Sequence, residues 1–466
     1  MIDKIDKSHH TAINVFFEIG KQMEVAQDSK ELVNWFRSSA PYINAHRHKT
    51  FVLMIGGEAL ETDNFQDIIN DIALLNSLGV KLVLVHGVRP QIQKQLDVHG
   101  HISEFHNGLR ITDDQSLALV KQAVGAVQIE LQARLSMGLA NSPMQGASIR
   151  TLVSNVVTAQ PLGVKDGVDF CHTGKVRRID VEGIKTQLAS GAVPVISPLG
   201  YSVTGEVFNL LAEEVATQVA IGLQADKLIG FCSNTGVLDE QGRVISELLP
   251  EQAQMHIDLM EPESEQASGT LCFLRAAVAA CKAGVTRSHL ISYYQEGALL
   301  KELFTRDGVG TQIVKESYER IRTATIDDIG GLLELIEPLE KQGILVKRSR
   351  ELLENEIAHF QIIERDGMVI GCAALYPFKD EKMGELACLV SHPEYRRSAR
   401  ADNLVAHIER KARELGLDSI FVLTTQSIHW FRERGFQFAD ISDLPSAKKE
   451  LYNLKRNSKV LIRKIR

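Results

Sequence analysis

Continuous apolar runs of strand length recur through the first three hundred residues, each followed by a stretch of helical pattern. FVLMIGG precedes NDIALLNSLG, and KLVLVHG precedes the long stretch from Asp114 to Leu139. AVPVISPLG precedes a helix from about Leu211 to Leu223, and KLIGFCSN a helix ending near Ala283 and Gly284. A strand that is apolar on both faces must be covered on both, and helical crossovers make successive strands parallel. This part of the chain is therefore expected to form a mainly parallel sheet in an αβα sandwich.

The order of elements changes near residue 315. IRTAT reads as a strand, DDIGGLLELIEPLEKQG as a helix, and a second helix begins near Ser349. FQIIERDGMVIGCAALYPF reads as two strands turning at Asp366 and Gly367, and ELACLVSHP as a third. A helix from about Ala401 to Leu415, the strand SIFVLTT and the short helix IHWFRERGF follow. A hairpin-rich α+β domain is expected there. With 466 residues, more than one core usually holds, the chain divides into a helical segment 1–45, a sandwich domain 46–314 and an α+β domain 315–466. The first segment reads as helical from about residue 11, with a break at Pro41, and the acidic EPESEQASG as a loop.

A formal net charge of −7 without a basic block outside the extreme C-terminus argues against a nucleic-acid partner. The six cysteines, Cys171, Cys232, Cys272, Cys281, Cys372 and Cys388, form no Cys-x-x-Cys pair and lack histidines at metal-ligand spacing. A reduced, metal-free cytoplasmic protein is expected. MIDKIDKSHH lacks an apolar signal core and no apolar run reaches membrane-spanning length, which argues against export and insertion.

HPEYRRSARADNLVAHIERKA sets a turn between a strand and an amphipathic helix, where backbone N–H groups can hold a pyrophosphate. This turn resembles the Arg/Gln-x-x-Gly-x-Gly/Ala loop of the GCN5-related N-acetyltransferases, with Arg396, Ala399 and Ala401 at the motif positions. Alanine replaces the first glycine. The strand ELACLVSHP before the loop and Phe431, Gly435 and Phe436 after it fall in the family's order. The resemblance implies acetyl-CoA as co-substrate, held by Leu389, Val390, Arg396, Arg397, Ser398, Ala399, Arg400 and Ala401. Many members carry a tyrosine at the position of Phe431 to protonate the departing thiolate. Here the thiolate leaves as the anion or takes a proton through water or a hydroxyl such as that of Thr424.

An amine that is protonated at neutral pH must lose a proton before it attacks a thioester, so a base is required. Glu385, opening the apolar strand ELACLV, is the candidate; a solvated glutamate at a strand end is the plainer reading. QGILVKRSRE, GELACLVSHPEYR, VLTTQSIHWFRERGF and LYNLKRNSKVL together resemble bacterial N-acetylglutamate synthases. That resemblance implies L-glutamate as acceptor, Glu385 as base, and Val346, Arg348, Cys388, Arg456 and Ser458 around the substrate. Two arginines suit a dicarboxylate because the guanidinium fork matches a carboxylate, although both also lie in ordinary basic stretches.

FVLMIGGEAL and KLVLVHGVRPQI resemble the opening of the amino-acid kinase family, especially N-acetylglutamate kinase. In active members a lysine before Gly-Gly and a second lysine after a glycine turn neutralise the phosphates. Met54 and Phe273 stand at those places, and Glu213 at that of an organising aspartate; Asn209 and Arg110 match substrate-binding positions. The resemblance therefore implies a regulatory and assembly domain. HLISYYQEGALLKELFTRDGVGT resembles the arginine-binding signature of arginine-inhibited members, which implies an allosteric arginine site at His289, Glu302, Gly308 and Gly310 together with Tyr42. A homo-oligomer, usually a hexamer, is also implied. The expected function is acetylation of glutamate, the first step of arginine biosynthesis, with feedback inhibition by arginine. The alternatives are a bifunctional enzyme that also phosphorylates N-acetylglutamate and an arginine-sensing protein with an inert or protein-directed acetyltransferase domain.

Overall fold

A computed structural model of the protein describes residues 33, 36–37, 39–138, 145–147, 149–260, 269–305, 308–315, 319–365, 367–393, 400–450 and 457–465. The chain forms two compact units that divide between residues 316 and 317. The acidic stretch 261–268 and most of the first 38 residues lie outside the described set.

The first unit is built on eight strands: β1 (Thr50–Ile55), β2 (Lys81–His86), β3 (Arg150–Val153), β4 (Ala192–Ile196), β5 (Lys227–Cys232), β6 (Glu247–Leu248), β7 (Arg287–Ser292) and β8 (Thr311–Val314). Their order across the sheet is β6-β8-β7-β5-β1-β2-β4-β3, and only β7 and β8 pair antiparallel. Side chains alternate along β1: Phe51, Leu53 and Ile55 enter one apolar core, Val52 and Met54 the other. Two-sided burial is the physical reason the strand is a continuous apolar run. A four-stranded sheet of Val157–Pro161, Gly174–Ile179, Leu199–Tyr201 and Val207–Asn209 is an addition that no strong apolar run announces.

The break expected at Pro41 does not occur, since residues 39–46 are helical through it. Docking outweighs the proline's missing N–H. Ser39 Oγ donates to the Phe304 carbonyl at 3.4 Å, and His46 Nε2 to that of Leu303 at 2.8 Å. Burial pushes the His46 imidazole down to about 4, so it is neutral at pH 7 and able to accept and donate.

The second unit contains β9 (Glu319–Thr323), β10 (Phe360–Arg365), β11 (Met368–Phe378), β12 (Met383–Ser391), β13 (Ser419–Thr424), β14 (Gln437–Ala439) and β15 (Lys459–Lys464), ordered β9-β10-β11-β12-β13-β15-β14. The helix Arg400–Glu414 packs Leu404, Val405 and Ile408 on one face of this sheet. Helix Ile329–Lys341 and helix Arg350–Glu356, the latter capped by Ser349 Oγ accepting from the Leu352 N–H, cover the other. Among the described residues no group of His, Cys, Asp and Glu could hold a metal ion, and no helix is long and apolar enough to cross a membrane.

Candidate active site and regulatory cluster

Strands β12 and β13 are the one parallel pair in the second sheet, and they pair only at Met383–Ser419, Gly384–Ile420 and Glu385–Phe421. Beyond that point β13 continues alongside β15 to Thr424, while β12 runs to Ser391 on β11 alone. The strands part, so among the described residues β12 presents an unpaired backbone edge beyond Glu385. An edge of free N–H and C=O groups can pair with an extended amide-bearing chain.

A β-bulge lies on that edge. Cys372 faces Val390 and Ala374 faces Ala387, so Cys388 and Leu389 together oppose the single residue Ala373. Cys388 takes a left-handed conformation with φ 49°, which costs a non-glycine residue about 1 kcal/mol. Burial pushes its thiol up to about 11, keeping it protonated at neutral pH and a poor nucleophile.

Glu385 stands opposite Tyr376 on one side and Phe421 on the other, and cross-strand partners project from the same face. Its side chain is only 10% exposed and its Oε2 meets Lys448 Nζ at 2.7 Å. The solvated reading of Glu385 therefore does not hold. Lys448 is a residue that sequence reasoning missed; its one sequence signal is the basic pair Lys448–Lys449, one residue before LYNLKRNSK.

Neighbouring groups complete a charged pocket. Arg348 Nη1 donates to the Val346 carbonyl at 3.1 Å and its backbone N–H to Glu340 Oε1 at 3.0 Å. Burial opposes the Arg348 charge, but Cys388, Tyr376 and Glu356 nearby hold its pKa above the ordinary value. Tyr376 donates its hydroxyl to Glu356 Oε2 at 2.7 Å, and its own pKa is raised, first by burial and then by that bond. Ser458 is buried at the start of β15, whereas Arg456 lies outside the described residues.

At the other end of the slot the Thr424 Oγ1 accepts from the N–H groups of Gln426 at 3.4 Å and Ser427 at 3.1 Å, which leaves its own proton available. Alternation along β13 puts Thr424 on the face opposite Phe421 and Glu385. Phe431 is buried, edge-on to Trp430 and Phe436, and so belongs to the core. Leu389 is half-buried, Val390 buried, and Ala401 sits in the first turn of the Arg400–Glu414 helix. Arg400 turns its fork onto Glu319, with Nε 2.8 Å from Oε1, an engagement that charge counting in the loop did not anticipate. Arg396, Arg397, Ser398 and Ala399 lie outside the described residues.

In the first unit the two lost lysine positions come together. Met54 pairs across β1 and β5 with Gly230, and a Cβ on Gly230 would lie 2.4 Å from the ring of the fully buried Phe273. Both positions are buried in the same apolar core. A cavity of about 470 Å³ remains, lined among others by Gly57, Gly87, Arg89, Arg110, Asn209 and Glu213. Arg89 grips Glu213 at 3.0 and 3.1 Å across it. Burial raises the Glu213 pKa while Arg89 opposes the rise.

The candidate arginine-site residues converge on the helix Ala298–Phe304. Glu302 Oε1 accepts from His289 Nδ1 at 2.7 Å, and Oε2 accepts from the N–H groups of Val309 at 2.8 Å and Gly310 at 3.0 Å. Lys227 Nζ lies 3.3 Å from His289 Nε2, extending the chain to a residue that sequence reasoning missed. Burial first, then Lys227, lowers His289 to about 4, so a neutral imidazole links the ammonium to the carboxylate. A Cβ on Gly308, at φ 61°, would meet Glu302 Oε2 at 2.3 Å, and one on Gly310 the Leu290 carbonyl oxygen at 2.0 Å. Both positions exclude a side chain. Tyr42 packs against the same apolar core as Leu303 and Phe304. Glu302 thus holds the glycine loop instead of standing open to solvent.

Residues 49–292 match the amino acid kinase family and residues 331–436 the acetyltransferase (GNAT) family. An amino-acid acetyltransferase from Enterobacter sp. (strain 638) is 58% identical over 438 residues, covering 94% of this chain and 99% of that protein. One from Yersinia pestis bv. Antiqua (strain Angola) is 58% identical over 434 residues, covering 93% and 98%. The crystal structure of N-acetylglutamate synthase from Neisseria gonorrhoeae complexed with coenzyme A and L-arginine is 38% identical, covers 93% of this chain and 99% of that one, and superposes with a TM-score of 0.80. The same enzyme complexed with coenzyme A and N-acetyl-glutamate, at the same identity and coverage, gives 0.59.

Proposed function

The chain belongs to the amino-acid acetyltransferase family, and on that premise we propose that its acceptor is L-glutamate and that L-arginine inhibits it as the first enzyme of arginine biosynthesis. It is an amino-acid N-acetyltransferase with acetyl-CoA as co-substrate. The observation that carries the glutamate reading is one juxtaposition: the buried Glu385 carboxylate sits where β12 and β13 part, on the face that also holds Tyr376 and the Arg348 loop.

In this mechanism the amide-bearing arm of coenzyme A pairs with the free edge of β12. Arg348 and Ser458, with Arg456, hold the two carboxylates of glutamate. Glu385 takes the proton of the ammonium, and the freed amine attacks the thioester carbonyl. The C–N bond forms as the tetrahedral oxyanion collects hydrogen bonds from backbone N–H groups at the bulge near Leu389. Collapse breaks the C–S bond, the thiolate leaves, and no acyl-enzyme forms. Thr424, with a hydroxyl proton not committed by its capping bonds, can deliver a proton to that thiolate.

Support for the regulatory half comes from the buried Lys227–His289–Glu302 chain, which organises a glycine loop whose carbonyls can accept guanidinium protons. Steady-state thiol release from acetyl-CoA tests both halves. Glutamate-dependent release that arginine slows is expected, with a loss of at least about a hundredfold in Glu385→Gln. A Glu385→Gln enzyme at full rate across the pH range removes the base, and release indifferent to arginine removes the inhibitor.

A further inference from the structure

We infer that Lys448 is a positioning residue for the reaction: its ammonium fixes one oxygen of the Glu385 carboxylate and leaves the other to meet the acceptor amine. The inference rests on the reading of Glu385 as the base.

The geometry is specific. Lys448 Nζ lies 2.7 Å from Oε2, with side-chain exposures of 24% for the lysine and 10% for the glutamate. A pair this enclosed is screened less than a surface one. The backbone carrying Lys448 is held independently of the pair. Leu444 is buried against Phe421 and Val460, and the Ser446 N–H donates to Glu381 Oε1 at 3.1 Å, in the turn between β11 and β12. Removing the ammonium therefore leaves the segment anchored.

Other charged and titratable groups crowd the neighbouring Cys388 and Tyr376. Glu340 comes from the helix Ile329–Lys341 and Glu356 from the helix Arg350–Glu356. Arg348 comes from the loop between them, Tyr376 from β11 and Cys388 from β12. Three carboxylates thus share the pocket with Arg348. Lys448 is the cation that meets the Glu385 carboxylate directly, so removing it frees the oxygen that it holds in place. One anchored oxygen also narrows the rotamers of the base, as productive proton transfer requires.

The test is the pH dependence of kcat/KM for glutamate, followed by thiol release from about pH 6 to 10, in the full-length enzyme and in Lys448→Met, Lys448→Arg and Glu385→Gln. Lys448→Met should lower kcat by roughly tenfold and change the shape of the profile, with the KM for acetyl-CoA unchanged. Lys448→Arg should restore most of the rate and the wild-type profile. A Lys448→Met profile that superimposes on the wild type, or a Lys448→Arg enzyme no closer to wild type than the methionine variant, overturns the role. Collapse of Glu385→Gln with an unmoved Lys448→Met profile refutes only the lysine. A fully active Glu385→Gln refutes the base itself.

Discussion

Replacing Glu302 by glutamine strikes the regulatory cluster at a single atom. The carboxylate accepts three hydrogen bonds, from His289 Nδ1 and from the N–H groups of Val309 and Gly310. Glutamine has one carbonyl oxygen, so its amide N–H₂ must face a donor on one side. If it faces His289, the imidazole has to present a bare Nδ1 and turn an Nε2–H toward Lys227 Nζ, 3.3 Å away. Two donors then meet. Losing one charge-assisted bond and leaving a buried donor unpaired costs about 1.5–3 kcal/mol.

The acid titration gives a second measure. Burial alone pushes Glu302 up, but His289 and the two loop N–H groups bring it down to about 2 from an ordinary 4.5. A depressed carboxylate stabilises the fold above its unfolded pKa and loses that contribution as pH falls from about 4.5 to about 2. The difference is worth about 3 kcal/mol. His289, lowered from 6.5 to about 4, acts in the same direction, removing stability as pH falls through that window. In thermal melts of the full chain at pH 7, Glu302→Gln should lower the transition of the first unit by about 3–6 °C, at roughly 2 °C per kcal/mol. The gap to wild type should narrow on acidification below about pH 4. A melting temperature unchanged at pH 7, or a gap that widens in acid, would falsify the bonding scheme.

Gly310→Ala places a Cβ 2.0 Å from the Leu290 carbonyl oxygen, so the loop must shift; arginine inhibition should weaken at least about tenfold, while the rate without arginine stays near wild type in the same thiol assay. Phe273→Lys buries an ammonium at a fully enclosed position beside Gly230. It should melt earlier and still show no ATP-dependent phosphorylation of N-acetylglutamate, and measurable phosphate transfer would contradict the packing argument. Cys388→Ala should keep kcat within about threefold, since burial holds the thiol protonated and a poor nucleophile; abolished turnover in a folded variant would make the sulfur part of the chemistry.

The two-layer logic of the chain was readable because burial writes itself into apolar runs: β1 alternates between two cores, and its sequence is apolar throughout. The absent kinase lysines were readable for the same local reason. That Met54 and Phe273 meet around Gly230 was not, since the contact spans residues remote in sequence. The helix through Pro41 defeats a local rule because two tertiary hydrogen bonds and the packing of Tyr42 compensate for one lost N–H. Glu385 stood out in the sequence as a candidate, but its Lys448 partner comes from a five-residue helix whose composition looks like ordinary surface charge. The bulge at Cys388 left no mark because a left-handed cysteine carries none of the glycine signal that turns usually carry. Arg400 illustrates the converse: a basic residue beside a phosphate-type loop proves to be engaged by Glu319 on β9.

The central claim is that the second unit transfers acetyl from coenzyme A to the amine of glutamate. Purified enzyme given acetyl-CoA with glutamate, aspartate or lysine, with products read by mass, tests it most directly. The account predicts one product, glutamate carrying a single acetyl group, formed in step with thiol release and at least about tenfold faster than any product from the other two amino acids. Thiol release without acetylated glutamate, or equal turnover of lysine, would contradict it.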